Sequence, residues 1–226
     1  MSNPTARFAL FALLATSASP SLGAQQPAAP PGRQPKPAKP QVPAVGLATG
    51  GLAGQTVVVL PLTMVVTDPR IPGGGPRTRL LMLHLADSLL GEALTERANE
   101  VTWLLPPALR RIAQRSAGLM PSPDQMGQAV MRSPALKQVP DPLRSYVRQL
   151  VALSGGARFA LIPAALYLTQ AGPQGDSLVV QLAAVLADGR LGRVVWRTMA
   201  VGRGETTADA LGAALGTIVP ADSIPR

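Results

Sequence analysis

Apolar runs alternate with polar, proline- or glycine-rich breaks along this chain, and the period of each run predicts an element. Thr56-Val-Val-Val-Leu60 is a β-branched run, the pattern of a strand buried on both faces, and Pro61 closes it. Met64-Val-Val-Thr67 predicts a weaker extended piece before a loop carrying Pro69, Pro72, Gly73, Gly74, Gly75 and Pro76. From Thr78 to about Ala98 the period becomes helical. Leu81, Leu85 and Leu89 form one stripe, and Leu83, Leu90, Ala93 and Leu94 widen it. So wide a stripe predicts burial on more than one side, with Glu92, Glu96 and Glu100 on the wet face.

Val101-Thr-Trp-Leu104 reads as a short strand, and Pro106 and Pro107 suit the first turn of a helix that turns Leu109, Ile112 and Ala113 inward. Ser122-Pro123-Asp124 and Asp141-Pro142 each have the form of a capping oxygen before a proline. The second opens a helix with Leu143, Val147, Leu150 and Val151 on one face, stopping at Gly155-Gly156. Gln125 to Val139 reads as loose helix and loop. Ala157 to Thr169, Leu178 to Leu186 and the run after Asp188-Gly-Arg-Leu-Gly192 then predict a three-stranded meander. Trp196 falls on the returning strand, in phase with Val194, as an anchor between sheet and helix. Thr206 or Thr207 caps a last helix through Ala210, Leu211, Ala214 and Leu215. This order predicts an α/β (α+β) fold: a single mixed sheet with a C-terminal antiparallel meander, covered by helices.

Three regions are expected. Residues 1–24 have the charged, apolar, small-residue order of a signal peptide. Their apolar core, Phe8 to Ala15, is far shorter than the roughly 20 residues that span a bilayer, so no transmembrane span is expected in the mature chain. Residues 25–54, with seven prolines between Pro27 and Pro43, read as a Pro/Gly-rich disordered linker. Residues 55–226 form the domain. The protein is expected to be exported, periplasmic or secreted.

Composition narrows the chemistry. Hydrophobic residues are 46% of the 226 and aromatics 3%, so the core must be built from Leu, Val, Ile and Ala. Net charge is +9, and Arg7, Arg33, Lys36 and Lys39 leave +5 for the domain. These cations are scattered rather than massed, which excludes a nucleic-acid partner of the usual kind. With no Cys there is no disulfide, no thiolate metal site and no lipidated cysteine. His84 is the single histidine, too few for an imidazole zinc site, and Ser88 near it lacks the turn that presents a serine nucleophile. Gly73-Gly74-Gly75 lacks the Lys-Ser/Thr of a phosphate loop, and Gly202-Arg-Gly204 lacks the third glycine of a dinucleotide loop. Asp87 and Glu92 are not helical neighbours. No catalytic residue, cofactor or metal is assigned.

Val57-Val-Val-Leu-Pro61 with the helix ending Leu94-Thr-Glu-Arg97, then Gly155-Gly-Ala-Arg-Phe-Ala-Leu-Ile162, then Asp188-Gly-Arg-Leu-Gly192-Arg-Val-Val-Trp196, resemble the envelope α/β domains related to the TolB amino-terminal domain and the curli-secretion lipoprotein CsgG. The resemblance spans most of Gln55 to Val219. The chain departs from it in lacking a lipidated Cys and in the insertion at Gly73 to Gly75. It implies an exported, non-catalytic interaction or assembly module whose partner is an envelope protein or polymer. The alternative expectation is a periplasmic binder of an anionic small molecule or glycan. Arg190, Arg193, Arg197 and Arg203 would form its surface, with Arg193 and Arg197, four apart on a strand, sharing a face. A hydrolase would need His84 or a carboxylate pair in a pocket.

Overall fold

The run Thr56–Val59 is β1. It carries no polar side chain past Thr56 because it is an inner strand: Val57 and Val59 enter one core, Val58 the other, and none is exposed. In the computed structural model, which describes residues 45–71, 75–171 and 177–220, β1 pairs in parallel with β3 (Thr102–Leu104) and with β4 (Phe159–Ala171). β5 (Ser177–Asp188) and β6 (Arg193–Gly204) continue the sheet antiparallel, and β2 (Val65–Thr67) pairs in parallel with the far half of β4. The result is a six-stranded mixed sheet ending in an antiparallel meander, with helices packed on it: an α/β fold.

Two apolar layers form because β4 and β5 also bury both sides. Leu161, Leu166 and Leu168 face α1 (Pro76–Arg97) and α4 (Thr207–Ile218), while Ala160, Ile162 and Ala165 face α2 (Pro106–Arg115) and α3 (Leu143–Leu153). α4 starts with a reciprocal cap, in which Thr206 Oγ1 accepts the Asp209 N–H (3.2 Å) and the Asp209 carboxylate accepts the Thr206 N–H (3.3 Å). Gly202 on β6 lets α4 lie directly on the strand, since a Cβ there would fall 2.0 Å from the Ala210 carbonyl oxygen.

Four expectations change. The fully buried positions of α1 run only from Ala86 to Leu94; Leu80 and Leu81 are exposed, and Met82 and Leu83 pack against the core while only partly buried. Pro142, not Asp141, sits at the N-cap of α3; the Asp141–Pro142 bond is cis and the carboxylate instead accepts from Arg144 and Ser145. Gln125 to Val139, expected as loose helix and loop, is loop with one short helix that is 3-10 rather than α, Gln128–Arg132. A bulge leaves Val195 unopposed: Val194 pairs with Ala187 and Trp196 with Leu186. Trp196 therefore faces the α1–α4 layer and Val194 the opposite one, so the two are out of phase. The indole is half-buried, and its Nε1 donates to the Gly46 carbonyl at 3.1 Å.

That bond involves the end of the stretch read as linker. Leu47, Thr49 and Leu52 are buried, and the Leu47 N–H donates to the Ile218 carbonyl at 2.7 Å. Residues 45–54 are thus folded onto the core, two leucines sufficing where glycines mask the pattern. The leader, the rest of the linker and Pro72 to Gly74 lie outside the described residues. Among the described residues no helix is long and apolar enough to cross a membrane.

Gly202→Ala is expected to lower stability by about 3 kcal/mol, because backbone rather than a mobile side chain would have to yield. Gly212→Ala, a helical glycine with nothing within 4 Å of an added Cβ, should instead raise it by roughly 0.5–1 kcal/mol. Urea unfolding midpoints of the two variants check both signs.

Candidate anion-binding surface

The turn between β5 and β6 is tied down by one carboxylate. Asp188 is buried, with Oδ1 accepting the N–H groups of Arg190 and Leu191 (both 2.9 Å) and Oδ2 accepting the Arg158 Nε–H (3.0 Å). Burial alone would push this carboxyl up. The Leu191 N–H, the Arg158 guanidinium and the Arg190 N–H outweigh it and hold the carboxyl below its ordinary value. Arg158 also lies over the Phe159 ring, 5.0 Å from its centroid.

Two glycines let α3 close on the turn. A Cβ at Gly189 would sit 2.5 Å from Val151, and one at Gly192, whose φ is +71°, would sit 2.5 Å from the Arg144 side chain. Arg144 and Arg148, one helical turn apart, are thereby brought beside Arg190, and Arg148 Nη2 donates to the Arg190 carbonyl at 3.3 Å. The strand start is gripped from the other side: the Val139 N–H donates to Gly192 O (2.7 Å) and the Val194 N–H to Lys137 O (3.0 Å). Lys137, Arg144, Arg148, Arg158, Arg190 and Arg193 so gather around one end of the sheet. Asp141 pairs with Arg144 and Asp188 with Arg158, so Lys137, Arg148, Arg190 and Arg193 make no ion pair among the described residues. Arg148 and Arg190 border a depression of about 310 Å³ floored by Val151, Ala152 and Ala157.

Of the four arginines singled out in the sequence, only Arg190 and Arg193 flank the same turn, with Arg193 on the sheet face away from α3. The Val195 bulge puts Arg197 opposite Val185, on the other face from Arg193, which lies opposite Asp188. Arg197 is half-buried and donates to the carbonyls of Met131 (2.6 Å) and Leu136 (2.9 Å), fastening that loop to the sheet; burial pushes its pKa down. Arg203 is exposed near the far end of β6, roughly 30 Å from Arg193 at about 3.3 Å per residue. The sequence reading passed over Lys137, Arg144, Arg148 and Arg158. The four-residue spacing of Arg144 and Arg148 on a helix was visible, but not that this helix ends against the meander turn.

His84 is exposed on α1 and makes no hydrogen bond to a described residue. Ser88 donates instead to Glu92 (3.0 Å), so a serine–histidine pair is not formed. Among the described residues no group of three or more His, Asp or Glu could hold a metal ion.

No family model matches the chain, and no curated protein matches it. Solved structures do. The lipoprotein GNA1162 from Neisseria meningitidis is similar at 16% identity over 67% of this chain and 81% of that one, with a TM-score of 0.35. Escherichia coli LpoB is similar at 15% identity, covering 84% of each chain, with a TM-score of 0.35. The PelC dodecamer from Paraburkholderia phytofirmans is similar at 15% identity over 81% of this chain and 91% of that one, with a TM-score of 0.34. Likeness at this level says nothing of activity.

Because the Asp188 carboxyl is lowered on folding, its stabilisation is complete above the ordinary carboxylate pKa of about 4 and is lost as pH falls below it. Asp188→Asn should cost about 1–2 kcal/mol at neutral pH, and its gap from the parent protein should narrow toward pH 3. Urea titrations at the two pH values read this directly.

Proposed function

We propose that this protein is an exported, non-catalytic interaction or assembly module of the cell envelope, and that it engages an anionic partner, an envelope polymer or protein, through the arginine end of its meander. The observation that carries the reading is the gathering of six cations from α3, the preceding loop and three strand ends around one turn, with only two carboxylates among them. Arginines fixed on helices and strand ends present their planar donors at little entropic cost, which suits carboxylate and phosphate groups. The order of the first 24 residues supports export, and the proline-rich stretch after them supports a spacer.

A second reading is a small anionic ligand. The 310 Å³ depression between Arg148 and Arg190 is the observation that favours it. A sugar acid or phosphate ester would there have two guanidinium groups at its rim and an apolar floor.

Retention on an immobilised anionic polysaccharide (alginate) and on envelope extract tests the polymer reading. Arg148→Ala/Arg190→Ala should weaken retention by about tenfold and reduce its salt dependence, whereas Arg203→Ala should leave both unchanged. Equal loss in the two variants, or no salt-sensitive retention of the parent protein, counts against it.

A further inference from the structure

A second surface lies at the other end of the central strand. The Arg158 N–H reaches the carbonyl of Thr56 where β1 begins, and past its carboxyl end the Leu62 N–H donates to Asp87 Oδ1 at 2.8 Å. Six residues of extended chain separate these points, roughly 20 Å at about 3.3 Å per residue. α1 packs on one face of the sheet and α2 on the other. Where the chain leaves β3 through Leu105 to start α2, a groove of about 490 Å³ remains between the two helices. It lies outside the carboxyl ends of parallel strands, the place where open α/β sheets hold ligands.

Its walls follow from the sequence. Gly91 lets Leu105 seat against α1, with 3.1 Å from a would-be Cβ to the Leu105 side chain. Leu105 and the rings of Pro106 and Pro107 supply an apolar side. On α1, His84, Ser88, Glu92 and Glu96 recur every fourth residue and form the opposite wall. Twelve residues at about 1.5 Å each make that wall roughly 18 Å long, enough for five or six residues of extended chain.

The charges in the groove are not balanced. Arg110, at one end, is held by Asp124 (2.7 Å) and Asp87 (3.3 Å). Glu92 accepts only the Ser88 hydroxyl, and Glu96 has no partner among the described residues. This is a negative stripe beside an apolar wall, on a chain whose net charge is +9.

The geometry points to this groove as the docking site for an extended segment of a partner polypeptide, one that lays apolar or proline side chains on Leu105, Pro106 and Pro107 and sets a lysine or arginine against Glu92 and Glu96. Charge complementarity selects the basic segment over an acidic one, and the groove's length selects a short extended stretch. The inference does not rest on the arginine end, which would repel the same segment. With anion binding at one end and a basic segment at the other, the module can bridge two partners of opposite charge.

Fluorescence anisotropy with the labelled peptide Lys-Pro-Ala-Lys-Pro-Ala, and with the analogue carrying Glu for Lys, tests this on the intact protein. Saturable binding of the lysine peptide alone is expected, weakened about tenfold or more by Glu92→Lys/Glu96→Lys. Glu92→Gln/Glu96→Gln, which keeps the shape, should give an intermediate loss, and thermal melts confirm that both pairs fold. Equal binding of the two peptides, absence of saturable binding, or full affinity in the charge-reversed protein overturns the proposal.

Discussion

The central strands must be covered on both faces. β1, the first half of β4 and the second half of β5 are buried on both sides: Val57, Val58, Val59, Ala160, Ile162, Leu166 and Val185 are without exposed surface. A sheet with such strands leaves apolar area on each face, and each face needs its own layer. α1 and α4 supply one, α2 and α3 the other. Both layers are thin in aromatics, and small residues set how closely they approach: Gly202 under α4, Gly189 under α3 and Gly91 beside Leu105 each let a neighbour reach where a side chain would stand.

That two-sided covering also makes the surface features. The clefts at the two ends of β1 are lined by the helix flanks that reach them. At the amino end of β1 the flank of α3 carries arginines; past its carboxyl end the flank of α1 carries glutamates. The chain's positive charge is thus unevenly placed, and a reader of net charge alone would miss the negative groove. Asp188 and Asp87 have related parts in this. Each is a carboxylate that accepts a backbone N–H and pairs with an arginine, Asp188 at the end of β5 held low by its donors, Asp87 on α1 pushed up because burial outweighs the Leu62 N–H and Arg110.

Period-based reading was sound where a segment's environment is uniform. The valine run of β1, the meander strands and the helices opened by Pro106 and capped by Thr206 were legible because continuous burial or a regular cap leaves a local signature. It failed where one residue changes the phase. The extra residue at Val195 turns Trp196 and Arg197 to faces opposite those that strict alternation from Val194 and Arg193 assigns. In α1, leucines in the first two turns look identical to those in the last three, and only the sheet beneath distinguishes them.

The residues by themselves determined the element order, the fold class, the lack of thiol chemistry and the excess of cations, since each depends on local period or on composition. Tertiary structure decided which charges meet. Arg144 and Arg148 reach Arg190 because α3 stops against the turn, Arg197 is withdrawn into a loop by its carbonyls, and Glu92 and Glu96 face Leu105 because α2 begins there. Such contacts join segments tens of residues apart, so they follow from how layers pack on a shared sheet rather than from any spacing along the chain.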